Sequence, residues 1–141
     1  MNVPINYLAV FIAGVISMAI GFVWYSPVLF GKQWMKYMGI NEKNMKDMKT
    51  GMAKIYGISF VSTLIMAYVL AHANVFAGSY TNTTGVSLGL MSGFWNWIGF
   101  IAPIQLTEWL FGKKPFGLFL INTSYQLVSI LAMGILLALW I

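Results

Sequence analysis

Few side chains in this 141-residue chain could take part in catalysis or metal binding. His72 is the one histidine, the carboxylates are Glu42, Asp47 and Glu108, and there is no cysteine. A nucleophile, a base and an orienting group cannot be assembled from this set, so we predict that the chain is not an enzyme. Cysteine-based zinc sites, disulfides and iron–sulfur clusters are excluded, and we predict no metal and no cofactor.

A stripe of polar side chains is the stronger candidate for a site. Asn122, Gln126 and Ser129 are spaced by four and then three residues, which places them on one face of a helix. Polar groups inside a membrane-length apolar segment are often functional, so the stripe either joins helices by hydrogen bonds or lines a path for a small solute. If it joins helices, we expect Asn122 to bond Asn96 or Tyr25.

The apolar run before this stripe adds two further candidates, Asn96 and Glu108. Glu108 lies about one helical turn from Lys113 and Lys114. An ion pair at the membrane surface, or a carboxylate that reaches the headgroups, is therefore the simpler interpretation of Glu108.

The elements that must position these side chains are long and apolar. Hydrophobic residues make up 60% of the chain and charged residues 8%, whereas soluble domains carry about 25% charged residues. Apolar runs cover roughly residues 3–25, 54–76, 86–111 and 116–141. Each is long enough for a transmembrane helix of about 20 residues. We therefore predict one all-α domain over residues 1–141, a transmembrane four-helix bundle.

The positive charge is concentrated beside these apolar runs. The net charge is +5, from eight lysines and no arginine, which favours contact with lipid headgroups over nucleic-acid recognition. The segment 26–53 and the turn 112–115 hold most of the lysines. By the positive-inside rule both loops are cytoplasmic. We therefore expect a multi-pass protein of the cell (cytoplasmic) membrane, the inner membrane, with both termini outside.

The long segment 26–53 has the pattern of an amphipathic element at the membrane surface. Met45, Met48 and Met52 form an apolar stripe at helical spacing, with lysines on a neighbouring row. We expect this basic corner to lie under the inner leaflet, where anionic lipid headgroups would contact Lys32, Lys36, Lys43, Lys46 and Lys49. A solvated loop that serves only as a topology signal is the alternative.

The two halves of the chain share short motifs in the same order. LFGKQW (29–34) matches LFGKKPF (110–116), and YGISFVST (56–63) matches FGLFLINT (116–123). We predict two tandem helical hairpins related by a pseudo-two-fold axis along the membrane normal, a parallel repeat. Chance similarity between apolar segments is the alternative. The match makes Ser62 the counterpart of Asn122, so Ser62 joins the candidate stripe.

Small residues mark the faces on which helices can approach one another closely. They follow each other at four-residue spacing as Gly85, Gly89 and Gly93 in the third run, and as Ser17 and Gly21 in the first. These faces pack either within one chain or between two copies, and we expect a homo-oligomer. Pro103 lacks an N–H group, so we expect it either to kink the third helix or to loosen its hydrogen-bond ladder near residue 99.

Three segments together resemble a known family. They are WYSPVLFGKQW (24–34), KIYGISFVSTLIMAYVLAH in the second run and FGLFLINTSYQLVSILAMGILLALW in the fourth. The chain resembles, over nearly its whole length, the small bacterial membrane proteins grouped as domain of unknown function 1761. The most specific parts are Trp24-Tyr25-Ser26-Pro27 with Phe30-Gly31, and Asn122 with Tyr125. The resemblance implies four spans and no assigned activity.

Two classes of function remain open. We expect a non-enzymatic structural or accessory membrane protein that associates with itself, with a membrane partner or with lipid, and that binds no nucleic acid. The alternative is a minimal oligomeric carrier or channel for a small solute along the Asn122/Gln126 stripe. A packed, dry seam at these residues would favour the first class, and water beside them would favour the second.

Overall fold

The computed structural model describes residues 3–41, 43–44 and 51–140, and these residues form helices joined by short connections, without strands. The helices are α1 Tyr7–Trp24, α2 Gly31–Met38, α3 Met52–Thr81, α4 Gly85–Asn96, α5 Ala102–Gly112 and α6 Phe116–Leu139. A π-helical turn, Trp97–Ile101, joins α4 to α5. Four helices are long and apolar enough to cross a membrane: α1, α3, α6 and the continuous stretch Gly85–Gly112. The all-α prediction with four apolar spans is confirmed.

Local sequence explains where the spans begin and end. The side chain of Asn6 accepts a hydrogen bond from the backbone N–H of Ala9 and so caps the start of α1. α3 ends at Asn82, which adopts the left-handed conformation (φ 56°) that commonly terminates helices. Lys113 ends α5 in the same way (φ 54°), and Pro115 then directly precedes α6.

The π-helical turn lies where Pro103 was expected to disturb the third span. Because Pro103 has no N–H to donate, the regular hydrogen-bond ladder is interrupted one turn before it. Within the turn, the N–H of Ala102 bonds the carbonyl of Trp97, five residues back. The predicted loosening near residue 99 is confirmed.

Helix α6 lies at the centre of the bundle. Its most extensive packing is against α4, its next most extensive is against α1, and it also contacts α2, α3 and α5. α3 packs in addition against α1 and α4. The main apolar core is built from small and medium side chains of α1, α3 and α6: Ala9, Val10, Ala13, Ala67, Leu70, Ala71, Ile130, Met133 and Leu137.

The glycines of α4 allow its backbone to touch the backbone of α6. A Cβ atom added to Gly89 would lie 2.5 Å from the backbone N and Cα of Ile135, and one added to Gly93 would lie 3.1 Å from the carbonyl oxygen of Ile130. The predicted close contact is confirmed for these two residues, and it lies within one chain. The close approach does not extend to Gly85, which has φ +67° at the first residue of α4 and where an added Cβ atom would lie 3.9 Å from Cδ2 of Leu139, an ordinary contact.

Candidate functional site

A tight corner follows α1 at the lysine-rich end of the bundle. The N–H of Phe30 donates to the carbonyl of Trp24 (3.1 Å), and the N–H of Gly31 donates to the carbonyl of Ser26 (2.9 Å). A Cβ atom on Gly31 would lie 2.5 Å from the carbonyl oxygen of Tyr25 and 2.7 Å from the carbonyl carbon of Ser26. Only glycine fits at this position, because the backbone of the corner fills the space.

The corner holds two aromatic residues against the first turns of α6. The indole N–H of Trp24 donates to the carbonyl of Ile121 (3.0 Å), and the hydroxyl of Tyr25 donates to Oδ1 of Asn122 (2.7 Å). The Tyr25 ring also meets the ring of Tyr125 edge to face, with centroids 5.4 Å apart. Tyr25 is one of the two partners predicted for Asn122, so this prediction is confirmed.

Polar contacts continue from the corner into the middle of the bundle. The hydroxyl of Tyr125 donates to the carbonyl of Ser17 (3.0 Å), and the hydroxyls of Ser17 and Ser129 hydrogen-bond each other. Both serines are buried. We call Tyr25, Asn122, Tyr125, Ser17 and Ser129 the polar seam. It joins α1 to α6, and its hydrogen bonds are made directly between protein groups.

The seam differs from the predicted stripe at one position of α6. Tyr125 contributes to it, whereas Gln126 is half-buried and no residue within the described ranges hydrogen-bonds its amide. The reason is that α1 crosses α6 on the side of residues 122, 125 and 129, and Gln126 lies about 100° around the helix from Tyr125. The spacing of three and four residues from Asn122 and Ser129 could have identified Tyr125 as a member of the same face. Ser17 and Gly21 do lie in this contact, as predicted: a Cβ atom on Gly21 would lie 3.0 Å from the Tyr125 hydroxyl.

Ser62, predicted as the counterpart of Asn122, does not lie in the polar seam. The residue is exposed, because the buried face of α3 is formed by Ala67, Leu70, Ala71 and Asn74. Ser62 lies five residues before Ala67, which places it about 140° away from that face. The buried polar residue of α3 is instead Asn74, whose amide nitrogen donates to the carbonyl of Gly134 (3.0 Å).

Asn96 and Glu108, the further candidates from the third span, lie outside the seam. The amide nitrogen of Asn96 donates to the carbonyl of Ser92 in its own helix (2.8 Å), and the neighbouring Trp97 donates from its indole to the carbonyl of Thr123 (3.0 Å). Glu108 is exposed on α5, and within the described part of the chain it forms no ion pair. The physical reason is that the α4 face toward α6 is set by Gly89 and Gly93 rather than by Asn96.

Some lysines of the basic corner lie within the residues that the structure describes, and others lie outside them. Lys32 and Lys36 are exposed on α2, and Lys43 is exposed beyond it. Lys46 and Lys49, with Met45 and Met48 of the predicted apolar stripe, lie outside the residues that the structure describes. Where the chain is described, no three histidine or carboxylate side chains come together as a metal site would require.

Four apolar spans, with α6 at the centre and joined to α1 by the polar seam, define a small helical bundle of the multi-pass membrane type. The family model described as "Protein of unknown function (DUF1761)" matches residues 8–138, so the chain belongs to this family. The resemblance noted in the sequence is thereby confirmed. No curated protein and no solved structure matches the chain. Trp24, Tyr25, Asn122 and Tyr125, on which the resemblance rests, meet at the corner.

Proposed function

We propose that this protein is a non-enzymatic accessory protein of the cell membrane, which holds a basic amphipathic helix against anionic lipids at the cytoplasmic face. The observation that carries the proposal is the docking of α2 on the lysine-rich end of the bundle. In this proposal the segments that carry the lysines are cytoplasmic and both termini are outside, because positively charged loops are retained in the cytoplasm.

The contacts of α2 support this role. The half-buried ring of Tyr37 lies where Gly117 of α6 leaves room, since a Cβ atom on Gly117 would be 2.5 Å from Cε2 of Tyr37. Trp34 meets Tyr25 edge to face, with ring centroids 5.8 Å apart. The aromatic face of α2 is therefore packed on the bundle, while Lys32 and Lys36 are exposed. A helix fixed in this way presents its charges at the level of the headgroups.

The polar seam supports a structural role over the alternative of a solute path. Tyr25 and Asn122 contact each other directly, as do Ser17 and Ser129, so these polar groups are satisfied by protein. Gly89 is packed against α6 of the same chain, so we do not assign self-association to that face.

The tandem repeat is a further part of the proposal. α1 packs on α3 and α6, α4 packs on the same two helices, and α3 and α6 pack on each other. A pseudo-two-fold axis between α3 and α6 would produce this pattern. Residues 1–76, with 35–52 left out, should superpose on 86–141 by a rotation of about 180° around the membrane normal. An axis in the membrane plane would contradict the repeat.

Lipid titration followed by native mass spectrometry tests the proposed role. Purified protein is titrated with phosphatidylglycerol and, separately, with zwitterionic phosphatidylcholine. Each lysine near an anionic surface contributes about 1 kcal/mol. Replacing Lys32 and Lys36 together with glutamine should therefore weaken phosphatidylglycerol binding roughly 30-fold. The matched control replaces both with arginine, keeps the charge and should bind like wild type. An unchanged preference for phosphatidylglycerol in the glutamine variant would contradict the proposal.

A further inference from the structure

An apolar groove runs between α1 and α3 in the half of the bundle nearer the lysines. The two helices approach closely at Gly14, where a Cβ atom would lie 2.7 Å from Cδ2 of Leu64. Toward the lysine-rich end they leave a groove of about 420 Å³, lined by Met18 and Phe22 of α1 and by Gly57 and Phe60 of α3, among others. Both walls lie within helices long and apolar enough to span a membrane.

Aromatic pairs bridge the two helices at both ends of this groove. Phe22 meets Tyr56 edge to face at 5.2 Å, and Phe11 meets Phe60 edge to face at 5.7 Å. Between these pairs Gly57 has no atom within 4 Å of an added Cβ position. The two aromatic pairs therefore bound the groove at its ends along the helix axes. Its long side is open toward the surroundings of the bundle. A second helix would have to cross both aromatic pairs, whereas a flexible hydrocarbon chain can enter from the side.

The charge beside the groove is positive. Lys54 is exposed and precedes Gly57 by three residues, which is about 4.5 Å along α3 toward the lysine-rich end. The described carboxylate, Glu108, lies on α5 and belongs to another span. A ligand whose tail fills the groove would therefore meet a cation at the level of its headgroup, which favours an anionic headgroup.

We propose that this groove is a binding site for one acyl chain of an anionic phospholipid, whose headgroup is held by Lys54. The proposal rests on the placement of the bundle in a membrane and does not depend on lipid binding by α2. It adds to the surface contacts of α2 a specific site inside the bilayer, defined by Gly57 and the two aromatic pairs.

Photocrosslinking tests the site. Wild-type protein in nanodiscs receives phosphatidylglycerol with a diazirine on its acyl chain, and the crosslinked residues are mapped by mass spectrometry. Crosslinks should concentrate on the groove, at Met18 and Phe60. Gly57→Leu fills the groove and should reduce these crosslinks several-fold. The matched control is Gly99→Leu, because an added Cβ at Gly99 also has no atom within 4 Å but belongs to another span and does not line the groove.

The headgroup is tested by the lipid class and by Lys54. Lys54→Gln should lower crosslinking by phosphatidylglycerol about fivefold relative to wild type. It should not change crosslinking by phosphatidylcholine with the same diazirine. Equal crosslinking by both lipids in the wild type would mean ordinary boundary lipid and would overturn the proposal. Unchanged crosslinks in Gly57→Leu would overturn it too. So would a wild-type protein whose Met18 and Phe60 stay unlabelled by the lipid, the result expected if a second copy covers the groove.

Two controls keep the outcomes separate. Both leucine variants must run as single species on gel filtration with wild-type melting, and Gly57→Ala replaces Gly57→Leu if the larger side chain prevents folding. The double glutamine variant at Lys32 and Lys36 should retain the groove crosslinks. If the double glutamine variant loses its preference for phosphatidylglycerol while the groove is still labelled, the result bears on the proposed role of α2 alone. If that preference is unaffected while the groove is not labelled, the result bears on the groove alone.

Discussion

Replacing Gly89 with alanine tests the closest helix contact of the bundle. The added methyl group would lie 2.5 Å from the backbone N and Cα of Ile135 and 2.6 Å from the carbonyl carbon of Gly134. All three atoms belong to backbone, so no side-chain rotation can relieve the overlap. The two helices have to separate by about 1 Å to restore ordinary contact, and a gap of this size forfeits a quarter to a half of each contact energy.

The expected magnitude follows from two opposing effects. Overpacking of a close contact costs about 1–3 kcal/mol, while alanine in place of glycine inside a helix stabilises by about 0.5–1 kcal/mol. Gly57→Ala is the matched control, because an added Cβ at Gly57 has no atom within 4 Å. The control carries only the second effect. Gly89→Ala should therefore be less stable than Gly57→Ala by about 1–3 kcal/mol.

The free energy of unfolding is measured by titrating SDS into protein in mixed micelles, for wild type and both variants. Gly57→Ala should unfold at the same SDS fraction as wild type or a higher one. Gly89→Ala should unfold at a lower fraction. If the two variants unfold at the same SDS fraction, the backbones of α4 and α6 are not in contact at Gly89.

Three further predictions concern the seam, the corner and the orientation. Asn122→Leu and Tyr25→Phe each remove the same hydrogen bond, so each should lower the free energy of unfolding in the SDS titration by about 0.6–2 kcal/mol. The double variant should lower it by no more than the larger of the two single variants. Gly31→Ala should destabilise by about 1–3 kcal/mol, because its methyl group overlaps the carbonyl of Tyr25, and normal stability would contradict the tight corner. A C-terminal reporter that is active only in the cytoplasm should be silent, and a bright signal would reverse the proposed topology.

Single residues show how much of this fold can be predicted from sequence. The apolar runs identify the spans because backbone N–H and C=O groups in hydrocarbon have no water to bond. They must form hydrogen bonds within their own helix. Pro103 identifies the π-helical turn because a missing N–H has a local consequence. Gly89 and Gly93 identify a close contact because their spacing places both on one face.

The candidate site could be predicted only in part. Asn122 and its partner Tyr25 follow from the requirement that an amide in hydrocarbon finds a hydrogen bond. The place of Ser62 outside the seam could not be predicted, because the repeat aligns positions along the chain, whereas the buried face depends on how α3 rotates against its neighbours. Tyr125 was missed because most of its side chain is an apolar ring, although its terminal hydroxyl reaches the backbone of α1.

In the structural role proposed for this protein, the polar seam is packed protein and lines no solute path. Because the chain has no cysteine, single-cysteine variants can be probed without removing others. A small water-soluble maleimide should label Tyr80→Cys, since Tyr80 is 90% exposed. In native membranes it should leave Ser129→Cys and Gln126→Cys unlabelled, and it should label both after denaturation in SDS. Rapid labelling of these two positions in native membranes would show water along α6 and contradict the claim.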